Sequence, residues 1–321
     1  MRRLLHATTL ALLGSLALGA SAQSSIQLGN YRLSGNYALD ALGGIGLEAS
    51  AVTYARDRNS LFFVGDEGRG IVEISLTGTT LGTMAFDWAG TGSTNQDAEG
   101  LTYLGNGQFV VVDERPQRAY RFSYQAGGTV LLGGAPFATI SNYTPSIGIE
   151  GISLDPRDGS FVTVKQDNDN NPARGPQEVR AGAMTFATGG GSTQLPVLFD
   201  ASLLGLASLS DVQTLAPVEA LAGTPAADNL LILSLDSRRL VESTRTGQVL
   251  GSLDLAGFTP QAIEGLTIDH RGVIYLVAED SGTPASRLLV LTPVPEPEAW
   301  SLLGAGLALV VGWTRRRAPA R

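Results

Sequence analysis

The sequence of 321 residues predicts an all-β protein, a single β-propeller of five four-stranded blades, with six blades as the alternative. A short phrase led by an acidic residue recurs five times, and the segments between the phrases alternate apolar and polar residues in the manner of strands. No long amphipathic helix is predicted between the two ends of the chain. The leading acids, at steps of 51, 51, 61 and 53 residues, are Glu48, Glu99, Glu150, Asp211 and Glu264.

Each repeat reads as strands separated by turn residues such as those of 105–107. The predicted strands of the first repeat are 50–54, 61–64, 70–75 and 79–86, and those of the second are 101–103, 109–112, 119–123 and 129–132. The fourth repeat carries an insertion at 216–228, rich in Ala and Pro, which we interpret as a surface excursion. The last repeat has strands at 266–268, 273–277 and 287–291 and lacks a fourth.

The segment Ile26 to Leu33 precedes the first acid and has no repeat of its own. We expect it to supply the missing strand of the last blade and so close the ring. Closure leaves only short, protected strand edges, which limits edge-to-edge aggregation.

The N-terminus reads as a secretory signal peptide, residues 1–22. Arg2 and Arg3 form a basic start, 10–18 is apolar, and the small residues of 20–22 resemble a cleavage site. The sequence therefore predicts an exported protein whose propeller domain spans 23–293.

The C-terminal segment, 294–321, combines three features in order. A Pro-Glu-Pro motif ending at Pro297 is followed by a short apolar stretch at 299–313 and an arginine cluster at 315–317. This arrangement resembles the PEP-CTERM sorting signal of Gram-negative bacteria, which implies a short transmembrane helix and an exosortase-type processing enzyme as a partner. The expected location is the periplasm, cell envelope or cell surface, with membrane attachment at least before processing; an ordinary membrane anchor is the alternative.

Composition excludes several classes of function. The chain has no cysteine, so an exported domain must be stable without disulfides, which a core of this size allows. Between residues 23 and 297 there are 16 basic and 29 acidic residues, and Lys165 is the only lysine. Such a net negative surface repels nucleic acid, so we expect no DNA or RNA partner.

The five leading acids are the candidate metal ligands, and a second polar cluster follows the second strand of each blade. Because neighbouring strands are antiparallel, the start of the first strand lies beside the end of the second, and both clusters should face one rim. The candidate ligand-binding residues of this rim are Asp66, Asp113, Glu114, Arg115, Arg118, Gln166, Asp236, Arg238 and Glu279.

Carboxylates gathered on one axis raise one another's pKa unless a cation, an arginine or a proton compensates. Calcium suits such a site because it takes several oxygen ligands. The alternative is a structural role, in which the acids bind backbone amides of neighbouring blades. The only histidine of the mature chain, His270, lies in a hairpin turn away from the acids, which argues against zinc and against a Ser-His-Asp triad.

Three phrases carry a resemblance to the SdiA-regulated family of exported propellers: 97–103, 111–118 and 236–240, together with the Ile-Glu-Gly of 263–265. The resemblance covers roughly 40–292 and implies one propeller with a central acidic site that is suited to calcium. The chain departs from the pattern at Asp211, which stands in place of Glu, and at 165–166, where Lys-Gln replaces an acidic pair. Both departures weaken the expectation of a symmetric ion site.

Two functions follow as hypotheses. The first is an exported, envelope-anchored, calcium-binding module that presents its rim to a small ligand, a polysaccharide or an envelope protein. The second is a calcium-dependent hydrolase acting at the axis on a lactone, ester or phosphate ester, because gluconolactonase-type and phytase-related propellers share parts of the pattern. The sequence names no substrate.

Overall fold

The computed structural model describes residues 25–142, 144, 147–166, 175–280 and 285–294. Five β-sheets, each built on four strands of one blade, form a closed ring, which confirms the five-bladed propeller. The described residues contain short 3-10 turns but no α-helix, and none of their helices is long and apolar enough to cross a bilayer. The predicted signal peptide and nearly all of the predicted sorting signal lie outside the described residues.

Strand bounds follow the chain. The first strand, β1 (Tyr31–Ala38), belongs to the last blade. Blade 1 comprises β2 (Ala49–Ala55), β3 (Ser60–Gly65), β4 (Gly70–Ile74) and β5 (Thr80–Asp87). Blade 2 comprises β6 (Ala98–Gly105), β7 (Gln108–Asp113) and β8 (Arg118–Ser123), then β9 (Thr129–Leu131), which leaves the blade, and β10 (Phe137–Thr139).

The remaining strands complete the ring. Blade 3 comprises β11 (Ile149–Asp155), β12 (Ser160–Lys165), β13 (Glu178–Met184), β14 (Thr193–Gln194) and β15 (Val197–Phe199). Blade 4 comprises β16 (Leu209–Thr214), β17 (Leu230–Ser234), β18 (Arg239–Ser243) and β19 (Val249–Asp254). Blade 5 comprises β20 (Ile263–Ile268), β21 (Ile274–Ala278) and β22 (Arg287–Pro293) together with β1.

Burial explains which sequence pattern each strand shows. Strands β2, β3 and β4 are buried at every residue because both faces of the blade are covered by its neighbours. The outermost strands β1 and β19 alternate, because one of their faces meets solvent. The apolar side chains form clusters between successive blades, so the core is distributed around the ring.

The N-terminal strand closes the ring as predicted. Strand β1 pairs antiparallel with β22, from Tyr31 opposite Pro293 to Ala38 opposite Arg287, although it begins later than the predicted Ile26. The residues before it are held by Glu242, a fully buried side chain that accepts hydrogen bonds from the Ser25 hydroxyl at 2.6 Å and the Ile26 amide. Closure therefore rests on main-chain pairing and on a buried polar anchor.

Two predictions, one about an outer strand and one about the insertion in the fourth repeat, are wrong. The segment 129–132 was expected to be the fourth strand of blade 2, but β9 pairs parallel with β5 of blade 1 because the turn before it bonds to that edge. Strand β10 takes the outer place in blade 2. The insertion 216–228 is not a surface excursion throughout, since Leu221 and Ala226 are buried in the core next to blade 5.

Candidate functional site

The five inner strands, β2, β6, β11, β16 and β20, surround the axis, and each contacts the next. In all five, the pairing with the second strand of the blade slips by one residue near the start of the inner strand. Such a β-bulge leaves one residue unpaired and re-aims its side chain. The residues at the slip are Ser50, Glu99, Glu150, Ser210 and Glu264.

These five residues define the equivalent position of the repeat and correct the predicted ring of five acids. Glu48 lies two residues before this position in blade 1, and Asp211 lies one residue after it in blade 4. When the five repeats are aligned on their acidic residues, Glu48 and Asp211 fall at the same position as the other three acids. Strand pairing instead places Ser50 and Ser210 at that position. The ring therefore holds three carboxyl groups and two hydroxyl groups.

The glycine that follows the acid marks a close approach between blades. A Cβ atom at Gly265 would lie 2.7 Å from the carbonyl oxygen of Ser50, and one at Gly100 would lie 3.1 Å from the carbonyl oxygen of Glu150. Blade 4 has Asp211 at the glycine position. The two carboxylate oxygens of Asp211 accept hydrogen bonds of 2.7 Å from the amides of Val212 and Leu266, so this acid has the structural role that was the alternative to metal binding.

The carboxyl groups of the ring and rim form one interacting cluster. The hydroxyl of Ser50 donates to the carbonyl oxygen of Glu48 at 3.1 Å and accepts the amide of Asp66 at 3.2 Å, which ties the ring to the rim in blade 1. Pairs of carboxyl groups also interact: besides burial, Asp66 raises the pKa of Glu48 in blade 1, and Glu114 of the neighbouring blade raises that of Glu150. Carboxyl groups this close favour the protonated form.

Burial and mutual repulsion raise the pKa values of these groups. Burial first, and then neighbouring carboxylates, raise the pKa of Glu264 to about 8 and that of Glu48 to about 7. Burial raises the pKa of Asp66 to about 6, and the pKa values of Glu99 and Glu150 lie well above the ordinary range for the same reason. Glu264 therefore holds a proton at neutral pH, and Glu48 titrates there.

The rim cluster lies at the same end of the propeller as the ring, as predicted from strand direction. The amides of Asp66, Glu114, Gln166 and Glu279, each just past the second strand of its blade, donate to carbonyl oxygens just before the first. In blade 4 the residue at this place is Leu235, and the predicted rim residue Asp236 lies one position further on and is exposed.

Arginine and lysine side chains neutralise little of the negative charge of the cluster. Arg115 lies 3.0 Å from Asp97 and 3.7 Å from Glu114. Arg118 and Arg238 instead donate to backbone carbonyl oxygens, and the ammonium group of Lys165 lies 3.3 Å from three others. Among the described residues, no arginine or lysine forms an ion pair with a carboxyl group of the ring.

Asp113 is separate from the ring. The residue is 1% exposed, and its carboxyl group accepts a hydrogen bond of 3.0 Å from the Ser93 hydroxyl. Burial raises the pKa of Asp113 to about 7, and the nearby Asp97 adds to that effect while Arg118 opposes it. Asp113 is therefore a buried titratable group beneath the rim.

The donor set at the ring has the chemistry that a hard cation prefers. All five side chains offer oxygen, and the hydroxyl of Ser210, 4% exposed, has no hydrogen-bond partner among the described residues. The side chains do not form a finished site. Within the part of the chain that the structure describes, no three acidic or histidine side chains are arranged to hold one metal ion.

Sequence reasoning missed a second ring, made of hydroxyl groups. The side chains of Thr53, Thr102, Ser153 and Thr267 each accept a hydrogen bond of 3.0–3.2 Å from an amide of the next blade. Each of these amides would otherwise be buried without a partner at the blade contact. The signal was present, because a Thr or Ser recurs three residues after the ring position.

The opposite end of the axis contains no comparable acidic cluster among the described residues. The hydroxyl of Tyr54 lies 3.1 Å from Nδ1 of His270, and the two rings stack with centroids 5.8 Å apart. His270 lies beyond the end of inner strand β20, whereas the ring acids lie at the starts of the inner strands. The prediction that His270 is remote from the acids is therefore correct.

The fold and the site define a five-bladed propeller in which the ring and the rim residues surround an acidic opening at one end of the axis. We call this opening the axial mouth. A family model described as SdiA-regulated matches residues 23–282, well over half of the chain. The chain belongs to the SdiA-regulated family.

Two solved structures are similar to this chain at 12% sequence identity. The β-propeller domain of Cps50 (Swd1) from Myceliophteria thermophila gives a TM-score of 0.39 and covers 73% of this chain and 64% of that chain, so the match spans slightly less than two thirds of its length. A luciferin-regenerating enzyme gives a TM-score of 0.45, with 79% and 94% covered. Neither similarity is strong enough to transfer the role of any residue.

Proposed function

We propose that this protein is an exported calcium-binding module whose axial mouth binds Ca²⁺ and, next to it, a ligand or partner. One observation carries the proposal: three carboxyl and two hydroxyl side chains occupy equivalent bulge positions around the axis, and none of the carboxyl groups has an ion pair among the described residues. Removing such carboxylates from water without a counter-ion is costly, so a cation would relieve the repulsion.

Glu99, Glu150 and Glu264 would hold the ion, and the hydroxyls of Ser50 and Ser210 would complete an all-oxygen set. These carboxyl groups must lose protons and change rotamers before they converge. When bound, Ca²⁺ supplies positive charge and open coordination positions. Asp66, Glu114, Gln166 and Glu279 would then contact the ligand from the rim.

Isothermal titration calorimetry tests the proposal. Because Glu264, with a pKa of about 8, holds a proton at neutral pH, Ca²⁺ binding should release protons, so the measured heat should depend on the ionisation enthalpy of the buffer. Glu264→Gln should weaken binding at least about tenfold, the loss expected for one charged ligand. Asp236→Asn, at an exposed position outside the ring, is the matched control. Absence of binding at pH 8, or binding insensitive to Glu264→Gln, would refute the proposal.

Hydrolysis is the second candidate, and the raised pKa values favour it. Glu264 and Glu48, with pKa values of about 8 and 7, titrate in the range of an effective general acid or base. A screen of lactone, aryl ester and phosphate ester substrates with Ca²⁺ tests this candidate. Turnover that Glu264→Gln abolishes, with an unchanged melting temperature, would establish an enzyme; calcium binding without turnover would leave the binding module.

Export and envelope attachment complete the proposal. The motifs of residues 1–22 and 294–321 support it, as does the agreement of the last strand, ending at Pro293, with the predicted start of the sorting signal. The partner at the tail would be an exosortase-type processing enzyme. Fractionation of cells expressing the full chain, or a chain that ends at Val294, tests the location, because the shorter chain should appear in the soluble exported fraction.

A further inference from the structure

The end of the axis opposite the acids contains a pocket of about 550 Å³. All five blades contribute to it, because its lining comes from the ends of the inner strands and the turns that follow them. Its volume lies in the range of sites for small molecules, roughly 300–1,000 Å³. The acids lie at the starts of the same strands, so this pocket is distinct from the axial mouth.

The floor of the pocket offers little for recognition. Thr53, Thr102 and Thr267 line it, but their hydroxyl groups already accept the amides of neighbouring blades. Gln213 is likewise engaged by Thr267, Ser153 and a carbonyl oxygen. Specific contacts must therefore come from the walls and the mouth.

The walls are apolar and aromatic, and the mouth is polar. Leu104, Leu154, Ile268 and two prolines form the walls together with the rings of Tyr54 and Tyr103. At the mouth, Asp57 accepts the Tyr103 hydroxyl at 2.6 Å and keeps further acceptor capacity. Among the described residues, nothing engages Nε2 of His270 or the side chain of Asn106.

The charges that line the pocket indicate which class of ligand it can bind. Arg56 and Asp57 are the two charged residues that line the pocket, and they cancel; Arg56 also forms an ion pair with Glu219. A strongly charged ligand would leave its charge uncompensated in an apolar pocket, which is unfavourable. A neutral ring with apolar faces and hydroxyl edges matches both the walls and the mouth.

We propose that this pocket binds a neutral cyclic polyol, one or two sugar units in size, with its ring face against the tyrosines and its hydroxyl groups bonded to Asp57, Asn106 and His270. Binding here does not depend on calcium at the opposite end.

Saturation-transfer NMR with cellobiose, maltose and diacetylchitobiose, in the presence of EDTA, tests the proposal on the folded propeller. Pro156→Trp places an indole at an exposed position of the lining and should abolish transfer, whereas Leu81→Trp, 56% exposed on the outer strand of blade 1, should not. Asp57→Ala should weaken binding about tenfold, and Asp254→Ala, at the exposed end of β19, should leave it unchanged.

Transfer that is lost in Pro156→Trp and retained in Leu81→Trp supports the proposal. Three results would overturn it: no transfer to any of the sugars, transfer that persists in both Pro156→Trp and Asp57→Ala, or tighter binding of cellobionate than of cellobiose. The last result would show that the site prefers a charged ligand.

Discussion

A carboxylate oxygen of Asp211 in blade 4 lies 2.7 Å from the amide nitrogen of Leu266 in blade 5 and accepts its hydrogen bond. Asp211 occupies the place where blades 2, 3 and 5 have a glycine. The side chain thus fills a blade contact that is elsewhere made by close backbone approach.

Removal of this side chain should loosen the contact between blades 4 and 5. In Asp211→Ala, two buried amides lose their acceptor, and we expect a loss of about 2–3 kcal/mol in the free energy of unfolding. Asp211→Asn keeps one acceptor and should lose about half as much. Urea unfolding measures both, with the exposed Asp236→Ala as a control that should change stability by less than about 0.5 kcal/mol. Equal stabilities for Asp211→Ala and the control would contradict the assigned role.

The glycine after the ring acid should not tolerate a side chain. In Gly265→Ala the new Cβ would meet the carbonyl oxygen of Ser50 at 2.7 Å and the Cα of Ala51 at 2.8 Å, so a backbone must shift. We expect a loss of at least about 2 kcal/mol. Gly257→Ala is the matched control, since nothing lies within 4 Å of its Cβ position. Thermal unfolding compares the two, and a shift of similar size in both would argue against the close approach.

The hydroxyl ring should contribute to stability through its acceptors. Thr267→Val keeps the shape of the side chain but removes the acceptor for the Tyr54 amide, so a buried donor is left unpaired. We expect a loss of about 1–3 kcal/mol in the free energy of unfolding. The control is Thr80→Val, where the hydroxyl bonds to Asp40 at the surface. A Thr267→Val variant as stable as Thr80→Val would show that water satisfies the amide.

Asp113 should make stability depend on pH. Its pKa is about 7 in the folded protein, against 3.8 for the ordinary group, so between these values the folded protein holds a proton that the unfolded chain has lost. Stability from this group is therefore complete below about pH 4 and falls as the pH rises through 7. Asp113→Asn mimics the protonated form. It should match the parent at pH 4 and be more stable at pH 8, by about 4 kcal/mol at most.

Urea unfolding of Asp113→Asn and the parent at several pH values, in EDTA, isolates this contribution from that of the ring acids, because the ring is common to both proteins. A stability difference that is constant from pH 4 to 8, or that favours the parent at pH 8, would refute the buried protonated state.

Calcium should stabilise the folded protein if the ring binds it. At a free concentration one hundred times Kd, a ligand that binds only the folded state adds about 2.7 kcal/mol. We expect the melting temperature to rise with Ca²⁺ at pH 8, to return with EDTA, and to respond less in Glu99→Gln. Asp236→Asn again serves as the control. No shift in the parent protein would leave the ring as a purely structural feature.

The sequence was sufficient for the blades and their closure, because strand pattern and repeat spacing are local signals. The absence of a fourth strand after 287–291 pointed correctly to an N-terminal strand in the last blade. It was not sufficient for β9, which pairs with another blade. That pairing depends on the hydrogen bonds of the turn near Gly128 with β5, which sequence pattern does not reveal.

The candidate site also combines features that the sequence predicts with features that only the structure shows. The sequence by itself determined that Glu99, Glu150 and Glu264 share one position and face one end of the axis, because alternation and strand direction are fixed by the chain. Only the tertiary structure decided that Ser50 and Ser210 complete the ring, and that Asp211 bonds a neighbouring blade. A β-bulge changes where one side chain points without changing the composition of the strand, and its place is set by the register between the first and second strands of the blade, which the sequence pattern does not reveal.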